Sequence, residues 1–211
     1  AIVTVMREKL GLAKMVMVGD RGMITSARIA ALNQPEQDGT AQPSPYGWIT
    51  ALRAPAIKKL AADDGPLQLS LFDEQDLAEI TSPDFPGERL VCCRNPVLAA
   101  ERARKREDLL AATEKLLAPV AARARAGRLT GAAKIGVEVG KVINKYKAGK
   151  HFDVAITDDS LTVTRKQAQI DTEAALDGIY VLRTPVPEDQ LDAPGVVTAY
   201  KDLARVERDF R

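Results

Sequence analysis

Apolar residues recur along this chain in two rhythms, and the change from one to the other marks its organisation. Met15, Val16, Met17 and Val18 are consecutive and followed by Gly19 and Gly22, which suits a short buried strand, although periodicity alone does not separate it from a helix turn. Before them, Ile2, Val5, Met6 and Leu10 share one face of a helix predicted over 2–10 and closed by Gly11. After them a second helix is predicted from Thr25, fading by Asn33. The stretch 34–47, rich in Pro, Gly, Gln and Asp, has too little apolar content for a packed element and reads as a loop. Strict alternation then predicts a strand over 46–53, with Trp48, Thr50 and Leu52 opposite Ile49, Ala51 and Arg53. Helix, strand, helix, strand in succession points to a layered α/β core.

From Ala54 the pattern shifts. Short helices are predicted at 55–60 and 73–80, turns at 63–66 and 83–87, and a strand at 88–94. Asn95 and Pro96 then open a long helix to about 126 that carries Leu98, Leu109, Leu110, Leu116 and Leu117 among dense charges. Pro119 should kink or split it, since proline removes one backbone donor and crowds the preceding turn. After a break at 127–131, a basic helix follows over 132–148, weakened by Gly136 and Gly140. Phe152, Val154 and Ile156, answered by Leu161 and Val163 across Asp158 and Asp159, predict a β-hairpin. A helix at 167–176 and a strand at 177–184, stopped by Pro185 and Pro187, lead to a last helix with Tyr200, Leu203, Val206, Glu207 and Phe210 at helical spacing. The expected arrangement is an α/β core in two parts, 1–54 and 176–211, interrupted by a mixed α+β insertion at 55–175 with long basic helices.

Composition narrows the function classes. The 211 residues can build a core that carries a sizeable insertion. Apolar stretches are short and interrupted by charge, so no membrane span is expected, and the opening ten residues lack the basic segment and cleavage site of a signal peptide. Adjacent Cys92 and Cys93 strain a disulfide and match no zinc spacing, which makes them reduced thiols in a strand and the expected location cytoplasmic. The net charge of +1 hides an asymmetry: residues 101–150 hold thirteen Lys or Arg against five Asp or Glu. Arg102, Arg104, Lys105, Arg106, Lys141 and Lys145 fall on the two long helices of that block. Concentrated positive charge is what an approach to DNA phosphates requires, although a solvated helix face has the same composition. Such contacts would position the protein on DNA without reading base sequence.

Two acids are candidates for chemistry. Asp20 follows the predicted strand at 15–18, and the carboxyl ends of strands in open α/β sheets are where ligands collect. A carboxylate there suits a hard cation such as Mg²⁺, while the same Asp-Arg-Gly triplet is also turn chemistry that caps the helix from Thr25. Glu207 shares a helix face with Tyr200, Leu203 and Phe210, which turns it towards the sheet and costs desolvation unless it is paired with Arg205, Arg208 or Arg211 or bound to metal.

Three ordered motifs, VGDRGMIT at 18–25, DGIYVLRT at 177–184 and YKDLARVERDFR at 200–211, together resemble the DDE transposases of bacterial insertion sequences, in the broad group named after insertion sequence four. The resemblance spans essentially the whole chain. It implies an RNase H-like core in which two Asp and one Glu hold two Mg²⁺ or Mn²⁺ ions for strand nicking and strand transfer on DNA. Asp20 then corresponds to the second acid and Glu207 to the third, and both are expected metal ligands. Tyr200 and Glu207 match the family's Tyr, Arg, Glu, Lys signature, with Leu203 in the usual place of its Arg, and Tyr200 with the nearby Arg205 and Arg208 are the expected DNA contacts. The position of its Lys lies past Arg211.

The first Asp belongs on a strand before Asp20, and these 211 residues offer no candidate there. The expectation is therefore a core incomplete at its N-terminal side, a segment that by itself does not nick DNA. Asp177 begins a strand where a catalytic acid would end one, and the resemblance gives it no catalytic role. The implied partners are the element's DNA ends and target, with a homodimer on paired ends that no heptad pattern here supports. A non-catalytic DNA-binding remnant and a metal-dependent nuclease of RNase H-like fold are the alternatives.

Overall fold

The apolar run at Met15–Val18 forms the first strand, β1, of a mixed α/β structure. The computed structural model describes residues 11, 14–32 and 46–209, so the helix expected over 2–10 and most of the loop over 34–47 lie outside it. After β1 come α1 (Ser26–Leu32), β2 (Tyr46–Ala51), α2 (Ala54–Leu60), β3 (Leu77–Ile80), β4 (Arg89–Arg94), α3 (Pro96–Arg125), α4 (Ala132–Tyr146), β5 (Phe152–Ile156), β6 (Leu161–Arg165), α5 (Gln167–Ala174), β7 (Ile179–Thr184) and α6 (Ala193–Asp209). The described residues fall into two units: one runs up to Arg94 and resumes at Ile179, and the other is Asn95–Gly178. No helix among them is long and apolar enough to cross a membrane.

The first unit is built on a five-stranded sheet of order β1-β2-β7-β4-β3. β1 and β2 run parallel, and every other neighbouring pair is antiparallel. Alternation along the strands sends Ile49, Leu182, Val91 and Cys93 to one face, where they pack against Val196 and Val197 of α6. Their neighbours Trp48 and Arg183 take the opposite face, with the Arg183 guanidinium 5.1 Å from the Trp48 ring centre and 4.8 Å from that of Phe85. Cys92 and Cys93 are free and buried in β4.

The short helix expected at 73–80 is instead a loop followed by β3, whose residues pair with β4 from Leu77 opposite Cys93 to Ile80 opposite Leu90. Asp73 accepts the backbone N–H groups of Gln75 (2.8 Å) and Leu77 (2.9 Å) with its side chain. Asp76 takes a left-handed conformation at φ 59°, which no helix passes through. Pairing with β4 then buries Ala78 and Ile80 and leaves Glu79 outside. Because β3 and β4 belong to the sheet, the segment that packs on itself begins at Asn95 and not at residue 55, where the expected insertion starts.

The second unit opens at Asn95, whose side chain accepts the Leu98 N–H at 3.0 Å and caps α3, with Pro96 in the first turn where its missing N–H costs nothing. α3 runs unbroken past Pro119 to Arg125 and is not divided there. Leu117, Val120 and Ala124 on one of its faces pack with Ile135 and Val139 of α4 and Leu161 of β6, and this burial holds the helix together across the proline. β5 and β6 form the expected hairpin, paired from Phe152 opposite Arg165 to Ile156 opposite Leu161. Arg165 is clamped by two carboxylates of α3, at 2.7 Å from Glu114 and 2.8 Å from Glu107.

Candidate functional site

Asp20 lies two residues beyond β1. Gly19 extends the pairing by donating its N–H to the Ile49 carbonyl at 3.1 Å, and it is buried, whereas Asp20 is exposed. One oxygen of the Asp20 carboxylate, Oδ1, accepts the N–H groups of Gly22 (2.8 Å) and Met23 (2.7 Å), which makes the loop a tight turn closed by its own side chain. A Cβ at position 22 would stand 3.2 Å from that oxygen, a tight contact that glycine avoids. The turn is separate from the helix start: Thr25, not Asp20, offers its hydroxyl oxygen to the Arg28 N–H, at 3.4 Å. The second oxygen, Oδ2, meets no donor among the described residues, which leaves a fixed carboxylate with one oxygen available.

Glu207 lies near the end of α6, and its side chain is outside the described residues. The course of the helix is informative all the same. Its first residues, Ala193 and Pro194, line a cleft with Leu77, Ala78, Glu79 and Ile80 of β3. Farther along, α6 also touches β4, β2 and β1. It thus crosses the sheet from the β3 edge towards the β1 edge. Tyr200 is half-buried against the core of this unit, together with Ala199 and Val18. Arg205 is exposed and pairs with Asp202 at 3.0 Å, and Arg208 is exposed.

A hard cation asks for several oxygen ligands, and Mg²⁺ commonly takes one or two carboxylates with water and substrate phosphate completing its shell. Among the described residues no three His, Cys, Asp or Glu side chains group closely enough to hold a metal ion. Asp20 therefore fits such an ion in the kind of donor it offers and falls short in number.

The basic residues singled out on the long helices are not equivalent. On α3, Arg104 pairs with Asp108 at 3.3 Å and Lys105 with Glu101 at 2.5 Å. Arg106 is turned inward, with its guanidinium 2.6 Å from Asp177, and both side chains are mostly buried. That pair occupies Asp177 as a structural counter-ion within the second unit. Arg102 is exposed with no acidic partner among the described residues. On α4, Lys141 pairs with Glu138 at 2.7 Å, and the Lys145 ammonium lies 5.2 Å from the centre of the Tyr146 ring.

Two groupings escaped the sequence reading. His151, the single histidine, is buried beside the second unit's helices and sits 2.9 Å from Glu173, which Lys150 also approaches at 2.9 Å. Burial pushes the Glu173 carboxyl up, but hydrogen bonds from Lys150 and His151 outweigh it and hold the group below its ordinary range. A lone histidine next to a lysine at the head of a strand was the available signal. The second is Arg183 with Glu88, joined only by the fold.

No family model matches the chain, and neither a curated protein nor a solved structure matches it.

Proposed function

We propose that this chain is part of the RNase H-like catalytic core of a DDE-type transposase, acting on DNA by metal-dependent strand nicking and strand transfer. The observation that carries the reading is the path of α6, which runs towards the edge strand β1, just past whose end lie Gly19 and Asp20. Two acids separated by nearly the whole sequence would then approach one another at a strand end. A second feature agrees: β1 has a strand partner only on its β2 side among the described residues, so its other edge is open to a further strand of the kind expected to bear the first Asp.

In this reading Asp20 and Glu207 are metal ligands, completed by the first Asp. Mg²⁺ or Mn²⁺ bound there would activate the attacking hydroxyl and stabilise charge on the leaving oxygen. The chain's own contribution is positional. The Asp20 turn fixes one carboxylate oxygen through two backbone donors and leaves the other free. Exposed Arg102 and Arg208, with Lys145 and the ion-paired Arg104, Lys105, Lys141 and Arg205, offer charge to the phosphate backbone.

The test is nicking of supercoiled plasmid in Mg²⁺ or Mn²⁺ by two proteins, the 211-residue chain and the same chain extended by the upstream reading frame of its gene. The extended protein should nick, the shorter one should not, and Asp20→Asn or Glu207→Gln should abolish nicking. Cleavage that persists in Asp20→Asn would overturn the proposal.

A further inference from the structure

The second unit contains a cavity of about 360 Å³ whose lining is of two kinds. Its apolar part is formed by Leu109, Tyr146 and Ala148. Its cationic part comes from one face of α3, where Arg102, Lys105 and Arg106 precede Leu109 by seven, four and three residues, and from Lys147 and Lys150 on the opposing segment. The carboxylates of Glu173 and Asp177 complete it, beside His151.

The charges do not balance. Arg106 is matched by Asp177, and Lys150 and His151 share Glu173. Lys105 leans on Glu101, while Arg102 and Lys147 have no acidic partner among the described residues. Two cations, Arg102 and Lys147, therefore stand beside one small concavity with no carboxylate to match them, which gives it a positive potential that suits an anion. Lys147 also adopts a left-handed conformation, φ 53°, at the end of α4, a position where glycine is the low-cost residue. A lone inorganic anion would use the cationic rim and leave the apolar wall idle. A flat, largely apolar body joined to a phosphate would use both.

We infer that this cavity binds a nucleoside phosphate, with the phosphate at Arg102 and Lys147 and the base against Leu109, Tyr146 and Ala148. One oxygen of Asp177 is held by Arg106, and the other is available to a hydroxyl or amino group of the ligand. The same chemistry is presented by a free nucleotide and by the terminal nucleotide of an unpaired DNA strand. The site is independent of Asp20 and Glu207, so it stands or falls apart from the transposase reading.

The experiment titrates the 211-residue chain into a fluorescent deoxynucleoside monophosphate and, separately, into a short labelled oligothymidylate, following anisotropy. Either probe binding supports the site, and the tighter of the two names its source. Unlabelled nucleotide should displace the probe, and inorganic phosphate at the same concentration should not. Arg102→Gln with Lys147→Gly removes the unpartnered cations, and the glycine relieves backbone strain, so melting temperature should hold or rise while affinity falls about tenfold or more. For the oligonucleotide, the slope of log K against log salt should shrink by about 1.4, or 0.7 for each lost phosphate contact. A control pair on the same unit outside the cavity, Lys115→Gln with Lys134→Gln, should change affinity far less. Equal losses from both pairs, displacement by phosphate as effective as by nucleotide, or no binding of either probe would overturn the inference.

Discussion

Arg183 and Glu88 form a two-pronged ion pair inside the first unit, with Nε of the arginine 2.5 Å from one carboxylate oxygen and Nη2 on the other. Their side chains are only 14% and 10% exposed, and the guanidinium lies against the Trp48 and Phe85 rings. Little water reaches either group, so removing one strands the other's charge. Glu88→Ala should destabilise the protein by about 3 kcal/mol in chemical denaturation. Arg183→Lys should also destabilise it, since lysine keeps the charge but loses the fork and the flat stacking surface. The double change Glu88→Leu with Arg183→Met should cost less than the two single losses added, because no charge is left uncompensated.

The cysteines of β4 should be silent in the folded protein. Burial pushes the Cys92 thiol up to about 12 and the Cys93 thiol to about 11, in the latter case against a hydrogen bond with Tyr180 that pulls it back down. Both are protonated near neutrality and cannot act as nucleophiles, so a thiol reagent should modify neither in native protein and both in denaturant. The folded thiols titrate above their ordinary value of 9.0, and the stability they contribute is whole below that pH. It should decline as pH rises from there towards 11, since only the unfolded chain loses protons in that interval. Denaturation midpoints followed upwards from pH 8 would show the decline, and Cys92→Ala with Cys93→Ala should reduce it.

Local signals carried some elements and failed at others for a physical reason. β1 is announced by four consecutive apolar residues stopped at Gly19, the β5–β6 hairpin by its alternation, and the start of α3 by Asn95 and Pro96. β3 is not announced: Leu77 and Ile80 stand three apart among acids, a helical spacing, and the strand exists because β4 pairs with it. The boundary near Asn95 was hidden for the same reason, since β7 enters the sheet between β2 and β4 from far along the chain. At the candidate site, Asp20 at a strand end was readable, while the inward turn of Arg106 was not. Composition counts a charge, and only the fold assigns Asp177 as its partner.

Gly178 closes the second unit where the chain returns to β7. Its φ is +76°, and an added Cβ would collide with the Asn95 carbonyl oxygen and come within 2.9 Å of the Ala99 Cβ. Gly127 has a similar φ of +67° but open space around it. Gly127→Ala should therefore cost about 1 kcal/mol, the price of a left-handed alanine alone. Gly178→Ala adds a clash with backbone and should cost about 3 kcal/mol, at the upper end of what a strained position bears. Paired urea denaturation curves would read the difference directly.

Asp20 is asked to do two things, and they can be separated. One carboxylate oxygen closes the turn by accepting from Gly22 and Met23, a task that the amide oxygen of asparagine performs equally well. The charge is needed only for a cation. Asp20→Asn should thus leave stability within about 0.5 kcal/mol of the parent, whereas Asp20→Ala, which loses the acceptor, should cost about 1 kcal/mol. In the extended protein both variants should lose Mn²⁺ affinity and nicking alike. The contrast lies between the readouts: if the asparagine variant were destabilised as much as the alanine variant, the carboxylate charge itself would be holding the turn. A metal role for Asp20 would then have to be argued from Mn²⁺ titration alone, since loss of nicking would follow from the damaged turn.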